Sequence, residues 1–306
     1  MPKTSIILPV YNEAENIPLL YEELVKVCNT ETEFIFVDDG SKDNTFKEIH
    51  RLSTLDKRVK CISLSRNFGH QNALMAGMEN AKGDQIVLMD GDLQHPPSLI
   101  PVLLNKLNEG FDLVITKRSR TAEINGAKRF FSKLFYTFIN YISETRIEPN
   151  AADFRAFNRK VLESVLQFKE RDLFLRGIFS WIGFHSTTLE FEAPARQFGK
   201  TKYSFTTMMR LAWKGTTSFS FKPLRIALLF GSLLSLASFA FGAYALLAYF
   251  RGNTIPGWAS LIIAVMILGG TQLLAIGLLG EYIAKLFTES KKRPLYLVRD
   301  SINIEN

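Results

Sequence analysis

Asp90 and Asp92, separated only by Gly91, follow the apolar run Gln85-Ile86-Val87-Leu88-Met89 and precede Leu93-Gln94-His95-Pro96-Pro97. A short apolar run closed by turn residues reads as a buried parallel strand. Both carboxylates then fall at its C-terminal end, where open α/β sheets bind ligands. Oxygen donors in that place suit a hard divalent cation, which such sites share with a substrate diphosphate. Two more polar groups end strands of the same kind: Pro9-Val10-Tyr11-Asn12-Glu13 and Asp38-Asp39-Gly40-Ser41. A lone Asp-Gly-Asp is ordinary turn composition. Three polar constellations at strand C-termini of one sheet converge on one crevice.

The elements that must position them alternate. Apolar runs at 4–10, 34–38, 59–64, 85–89 and 113–116 read as strands, and helical periodicity covers 17–27, 45–52, 71–80 and 99–108. Such alternation predicts a parallel sheet with helices on both faces. Gly40, Gly69, Gly83 and Gly110 punctuate the turns.

The net charge of +7 over 306 residues points to an anionic partner. No nucleic-acid motif is present, so membrane surface and phosphate are the readings. Cys28 and Cys61 are the only cysteines and each lies in an apolar element, which fits two reduced, buried thiols rather than a disulfide framework. Met1-Pro2-Lys3 runs directly into a strand, unlike a signal peptide, so the polar part is expected to stay in the cytoplasm.

Residues 128–142 are different. Phe130, Phe131, Leu134, Phe135, Phe138, Ile139 and Ile142 recur at helical spacing among Lys128, Arg129 and Lys133. This pattern fits a basic amphipathic helix in a membrane interface, with an ordinary core-facing helix as the alternative. Residues 205–213 form a second such candidate. The stretches 226–250 and 258–280 carry no charged residue, and each can cross the roughly 30 Å hydrocarbon core. Lys214, Lys222 and Arg225 precede the pair, and Lys285, Lys291, Lys292 and Arg293 follow it. The positive-inside rule then puts both flanks, and both termini, in the cytoplasm. Ser232, Ser235, Ser238 and Gly242, with Gly269, Gly270, Gly277 and Gly280, permit close packing within the hairpin or between subunits of a homo-oligomer.

Further sequence stretches extend the pattern: Ile7-Leu8-Pro9-Val10-Tyr11-Asn12-Glu13, Leu64-Ser65-Arg66-Asn67-Phe68-Gly69, Ala152-Asp153-Phe154-Arg155 and Arg196-Gln197-Phe198-Gly199-Lys200-Thr201-Lys202-Tyr203. Together with the Asp-Asp-Gly-Ser and Asp-Gly-Asp segments, the chain resembles family-2 glycosyltransferases of the GT-A fold. Within them it is similar to the polyprenyl-phosphate glycosyltransferases, which include dolichyl-phosphate mannose synthases and bacterial undecaprenyl-phosphate glucosyl- and aminoarabinosyltransferases. The resemblance implies an α/β catalytic domain with a Rossmann-like, mostly parallel sheet, interfacial amphipathic helices and a C-terminal two-helix transmembrane hairpin. The expected boundaries are 1–204 for the catalytic domain, 205–225 for a juxtamembrane segment, 226–284 for the hairpin and 285–306 for a cytoplasmic tail. The expected location is the inner membrane.

The resemblance also implies roles. Pro9, Tyr11 and Glu13 hold the nucleoside, and Asp39 bonds its base or ribose. Asp90, Asp92 and Gln94 bind Mg²⁺ or Mn²⁺, Asp90 also touching the nucleotide sugar, and Asp92 is counted with the catalytic groups. Asp153 is the family's proposed base. A phosphate-monoester acceptor has a second pKa near 6 and is largely dianionic at pH 7, so Asp153 could instead orient the acceptor or a sugar hydroxyl. Cations must wait for that acceptor phosphate: Lys117, Arg118, Lys128, Arg129, Arg196 and Lys202, with Ser132 as a hydroxyl donor one turn beyond Lys128. The implied reaction is inverting transfer of a sugar, glucose as the first choice, from a UDP-sugar to polyprenyl (undecaprenyl) phosphate. Two alternatives share the crevice: a processive membrane polysaccharide synthase and a non-catalytic nucleotide-sugar-binding membrane protein.

Overall fold

The strands β1 (Thr4–Val10) and β2 (Thr32–Asp38) are buried at every position, as expected for parallel strands covered on both faces. The computed structural model describes residues 2–119, 151–171, 173–192, 222–251 and 257–304. In chain order the other elements are α1 (Asn16–Val27), α2 (Thr45–Leu55), β3 (Val59–Leu64), α3 (His70–Glu79), β4 (Gln85–Leu88) and α4 (Ile100–Asn108), which follows a single 3₁₀ turn at Pro97–Leu99. Then come β5 (Leu113–Arg118), β6 (Ala151–Asn158), α5 (Arg159–Val165), α6 (Leu175–Trp181), β7 (Ser186–Phe191), α7 (Lys222–Phe250), α8 (Trp258–Ser290) and β8 (Val298–Ile302).

One sheet runs in the order β7-β5-β6-β4-β1-β2-β3-β8. Its centre, β4-β1-β2-β3, is parallel. β6 is antiparallel to both β4 and β5, and β8 is antiparallel to β3. The period of two divides the core. Ile6, Leu8, Phe34 and Phe36 face Ile17, Leu20, Ile49 and Leu103 of α1, α2 and α4. Ile7, Ile35, Val37 and Ile62 face Leu74, Met75, Val161 and Ile178 of α3, α5 and α6. Each fully buried side chain of this size contributes about 1.5–3 kcal/mol.

The expected strands and helices of the first 118 residues are present with small shifts: β2 starts at Thr32, β4 stops at Leu88 and β5 continues through Lys117 to Arg118. The expected interfacial stretches 128–142 and 205–213 lie outside the described residues. The two apolar stretches are helices, Ala227–Ala245 and Ile263–Ser290 having mean hydropathy 1.7 and 2.0. Among the described residues most of their large apolar side chains are exposed, Phe239 by 79% and Leu274 by 77%.

The residues read as a tail from 285 onward hold a structural element. After α8 the chain returns to the sheet as β8. The Ser65 N–H donates to the Leu297 carbonyl at 2.8 Å, the Asn303 amide donates to the Ser53 and Val59 carbonyls at 3.2 and 2.9 Å, and the Tyr296 hydroxyl meets Glu79. Leu295, Tyr296 and Ile304 pack on the core. The exposed edge position of β8 leaves Val298–Ile302 largely solvated, so its sequence carries no burial signal.

Deleting residues 295–306 uncovers the β3 edge and those apolar contacts. At roughly 1.5 kcal/mol for each large side chain, the thermal midpoint of the detergent-solubilised protein is expected to fall by about 5–10 °C. Scanning fluorimetry of the full and truncated chains checks this; equal midpoints would contradict a stabilising role for β8.

Candidate functional site

β1 and β2 end side by side, Val10 opposite Asp38, and backbone hydrogen bonds knit the loops beyond them. The Asp39 N–H donates to the Val10 carbonyl at 2.9 Å. The Asn12 N–H donates to Ser41 Oγ at 2.9 Å and the Lys42 N–H to Asn12 Oδ1 at 2.8 Å. The Glu13 N–H donates to Thr45 Oγ1 at 2.8 Å. Gly40 takes φ +69°, and a Cβ there would lie 2.4 Å from the backbone carbon of Arg66. Only glycine lets the β3–α3 loop approach so closely. That approach delivers the Phe68 and Gly69 N–H groups to the Asp39 carboxylate at 2.7 and 2.9 Å. Burial raises the Asp39 pKa above the usual carboxylate range, and these two amides partly offset the rise. Pro9, Tyr11, Glu13 and Asp39 thus share one end of the crevice. Asp38 points the other way: fully buried, it accepts from the Ser41 N–H and the Ser63 hydroxyl, with Arg299 of β8 3.8 Å off.

The Asp-Gly-Asp loop crosses the end of β1. A Cβ on Gly91 would meet Val10 Cγ1 at 2.5 Å. Leu93 has φ +59°, a costly conformation for a branched side chain and one that clusters at functional loops. His95 buttresses the turn. It is wholly buried, its Nδ1 accepts from the Asp90 N–H at 3.0 Å, and its ring stacks on Phe154 at 5.0 Å with Phe191 edge-on at 6.0 Å. Burial lowers its pKa, so the neutral ring serves as a wedge.

Asp90 and Asp92 supply hard oxygen donors at the crevice. Among the described residues no group of three or more His, Cys, Asp or Glu could hold a metal unaided. This fits Mg²⁺-type binding, which takes one or two carboxylates and completes its shell with substrate phosphates and water. The third expected ligand, Gln94, accepts from Arg118 Nη2 through Oε1 at 3.2 Å, so Arg118 orients its amide. Lys117, on β5, is half-buried opposite Ala151.

β6 brings Asp153 to the same place. Leu88 pairs with Arg155 in an antiparallel register; continuing that register by two residues sets Asp153 opposite Asp90. Three cations surround the Asp153 carboxylate. Arg176 donates side-on, Nε to Oδ1 and Nη2 to Oδ2, both at 2.9 Å. Arg155 Nη2 donates to Oδ1 at 3.2 Å, and its guanidinium lies 4.6 Å over the Phe179 ring. His70, first residue of α3, sits between the two carboxylates, Nε2 lying 3.4 Å from Asp90 Oδ1 and 3.6 Å from Asp153 Oδ2. Burial alone would raise the Asp153 pKa, but Arg176, His70 and Arg155 hold it well below the usual range. Burial pulls Arg155 down to about 10, which still leaves it charged at neutral pH. For His70 desolvation opposes the charge, yet Asp90 and Asp153 overcome it and push the pKa up to about 9.

The ends of β1, β2 and β4 and the start of β6 thus bring Pro9, Tyr11, Glu13, Asp39, Asp90, Asp92, Gln94 and Asp153 to the same edge of the sheet. Lys128, Arg129, Ser132, Arg196 and Lys202 lie outside the described residues. Sequence reasoning gave no role to His70, Arg155 or Arg176. Arg155 closes one quoted stretch and His70 directly follows another, and their charge beside apolar runs was the available signal. Arg176, a single cation in the apolar segment Leu175–Trp181, offered none.

Residues 5–166 match Glycosyl transferase family 2. The chain is 40% identical over 306 residues to an uncharacterized glycosyltransferase of Synechocystis, covering 98% of this chain and 96% of that protein. It is 40% identical over 301 residues to a protein of Escherichia coli K12 named prophage bactoprenol glucosyl transferase homolog, covering 97% and 98%. Identity is 39% over 302 residues with the bactoprenol glucosyl transferase of Shigella phage SfV, again covering 97% and 98%. Among solved structures, glucosyl-3-phosphoglycerate synthase from Mycobacterium tuberculosis, in complex with phosphoglyceric acid, aligns with a TM-score of 0.50 at 17% identity, over 71% of this chain and 78% of that one. That likeness concerns the fold alone.

The His70 position has a pH signature. A folded pKa raised from about 6.5 to about 9 contributes stability that is fully present below pH 6.5 and is lost as pH rises through 9. The thermal midpoint of the metal-free protein is expected to fall between those values, and that of His70→Gln to fall less. NMR titration of the His70 ring should show a midpoint near 9, lowered by Mg²⁺ drawing on Asp90; Asp92→Asn should blunt the Mg²⁺ effect. A His70 midpoint near 6.5, unmoved by Mg²⁺, would contradict this geometry.

Proposed function

The chain belongs to glycosyl transferase family 2, and we propose that it transfers a glucosyl group from UDP-glucose to polyprenyl phosphate, with inversion, at the cytoplasmic face of a membrane. The observation that carries this reading is the meeting of Asp90, of the Asp90-Gly91-Asp92 turn, with Asp153 across His70 at the strand ends of a domain joined to two exposed apolar helices. The full-length similarity to proteins named bactoprenol glucosyl transferase supports the sugar and the lipid class.

The residues divide the work. Tyr11, Glu13, Pro9 and Asp39 grip the nucleoside at the end of β1 and β2. Asp90 and Asp92, with Gln94 oriented by Arg118, hold Mg²⁺ or Mn²⁺, which when bound neutralises charge on the departing diphosphate. A phosphate oxygen of the acceptor attacks the anomeric carbon from the opposite side. The bond from that carbon to the UDP oxygen breaks and UDP leaves with the electron pair, so an α-linked donor gives a β-linked lipid product. The acceptor is largely dianionic at neutral pH, so the attack needs little proton removal.

The basic flanks of α7 and α8 support an orientation with both on the cytoplasmic side. The return of β8 to the sheet supports two crossings, since the hairpin leaves the catalytic domain and comes back to it.

Purified protein supplied with radiolabelled UDP-glucose and undecaprenyl phosphate is expected to give a lipid-extractable product, and Asp92→Asn to lose at least 100-fold, about 2.7 kcal/mol of transition-state stabilisation. Polymer instead of lipid product would favour a synthase, and binding without turnover would overturn the enzymatic reading. For orientation, Gly257→Cys is expected to label with a membrane-impermeant thiol reagent in intact cells and Lys292→Cys to stay unlabelled. The reverse pattern would refute the hairpin.

A further inference from the structure

Arg299 enters the sheet out of register. β8 pairs antiparallel with β3, Asp300 opposite Ser63 and Val298 opposite Leu64. Between those two pairs β8 carries one residue more than β3, and Arg299 is that residue. A bulge of this kind re-aims a side chain and is common beside active sites. Here it brings a cation to the C-terminal end of the parallel strands, where Val10, Asp38 and Ser63 stand side by side on β1, β2 and β3.

The contacts there form a directed relay. Arg299 Nη2 donates to Ser63 Oγ at 2.8 Å, across 236 residues of chain. A guanidinium only donates and a hydroxyl has one proton, so the Ser63 proton goes to Asp38 Oδ2, at 2.9 Å. Arg299 Nη2 itself lies 3.8 Å from the same oxygen. The other oxygen, Oδ1, accepts the Ser41 N–H at 2.9 Å. Ser41 Oγ in turn accepts the Asn12 N–H at 2.9 Å. Asp38 therefore closes the turn that carries Asp39 and ties it to the loop after β1. The guanidinium also lies 5.7 Å from the centre of the Phe46 ring, in the first turn of α2, so Arg299 borders both ends of the segment 38–46.

Charge and burial make the relay matter. Asp38 and Ser63 are fully buried. A buried carboxylate is costly unless it is paired, and among the described residues Arg299 is the cation paired with Asp38. Arg299 keeps 45% of its side chain exposed, so its removal opens no cavity in the core. It leaves a buried charge without its partner. β2 is fixed by ladders on both sides, whereas the turn beyond it is held by the side-chain bonds of Asp38 and Ser41. The loss is therefore felt in the turn, and Asp39 moves with it.

We propose that Arg299 is a positioning residue for the donor nucleoside. Through Ser63 and Asp38 it holds the turn that presents Asp39, so the strand that follows the two apolar helices sets the affinity for the donor. The inference rests on the UDP-sugar reading of the donor and on Asp39 as one of its ligands. A buried ion pair that served the fold alone would set stability and leave affinity untouched.

Full-length Arg299→Met, which keeps the apolar stem and removes the cation, is compared with wild type in detergent. The Kd for UDP is measured by calorimetry, and initial rates are taken over a range of UDP-glucose and of undecaprenyl phosphate. The Kd for UDP and the KM for UDP-glucose should each rise roughly tenfold (about 1.4 kcal/mol). At saturating donor, kcat and the KM for undecaprenyl phosphate should stay within about threefold of wild type, since the lost interaction serves donor binding and not the chemical step. Adding Asp38→Asn should rescue the variant. The amide oxygen still accepts the Ser41 N–H, the amide nitrogen gives Ser63 Oγ the donor it lost, and no buried charge is left unpaired. The Kd of the double variant should return to within about threefold of wild type, the non-additivity expected of residues acting in one network. An unchanged Kd for UDP in Arg299→Met, whatever happens to its thermal midpoint, overturns the proposal and leaves Arg299 a stabilising residue. A weakened Kd that Asp38→Asn does not rescue also overturns it, because Arg299 then does not act through Asp38. If Arg299→Met yields no folded protein, Ser63→Ala is measured in its place. That variant keeps both charges and breaks only the relay; a Kd raised at least about threefold supports the proposal, and an unchanged Kd overturns it. If wild type binds neither UDP nor UDP-glucose, the proposed donor fails and takes this inference with it. If wild type binds UDP and Arg299→Met binds it equally well, only the inference fails.

Discussion

The antiparallel pairing of β4 with β6 brings Asp153 opposite Asp90. The three strands parallel to β4, of which only β1 adjoins it, deliver only loops that leave the same edge of the sheet. A strand running the other way delivers its own beginning there, and Asp153, near the start of β6, comes to rest opposite Asp90. The pairing also seats Phe154 beneath His95, which in turn accepts the Asp90 N–H. One register thus fixes the Asp-Gly-Asp loop from below and faces it with a second acidic centre.

Two carboxylates brought this close repel unless cations stand between them. His70 does so directly, held there by the start of α3, and the guanidiniums of Arg155 and Arg176 complete the neutralisation of Asp153. Buried charge of this density is costly unless each group is paired. The neighbouring His95, with burial but no bridging position between two carboxylates, stays neutral and acts by shape. Two imidazoles a few ångströms from Asp90 therefore carry opposite protonation states, set by what surrounds each.

The two long apolar helices depend on the sheet as well. α7 and α8 expose nearly all of their large apolar side chains, so protein packing does not explain their composition. The helices are nonetheless tied at their far end: Glu289 accepts the Arg171 N–H at 2.7 Å, and β8 closes the β3 edge. Closing that edge removes a row of unpaired backbone groups that would otherwise invite pairing with another chain. Through Arg299, which donates to Ser63 Oγ at 2.8 Å, β8 also reaches the buried Asp38 behind the loops that follow β1 and β2.

Local pattern was enough for much of this. The βα alternation of residues 4–118, the Asp-Gly-Asp turn at a strand end and the two uncharged stretches are properties of neighbouring residues: period, length and turn chemistry. They sufficed to read an α/β sheet with helices on both faces, to bring Asp39, Asp90 and Asp92 to the strand ends of one sheet and to expect two long apolar helices, whereas Asp153 was singled out only through the family resemblance. Tertiary structure alone decided what depends on pairing between distant segments. No local signal says that Ala151–Asn158 inserts between β4 and β5, that Val298–Ile302 returns to an edge more than 200 residues earlier in the chain, or that Arg176 reaches Asp153. Those contacts arise from strand register and from the folding of α6 against the sheet. So do the charge states of His70 and Asp153, because a pKa shift is set by which charges come near and how much water is excluded, and neither quantity is written in the order of the residues.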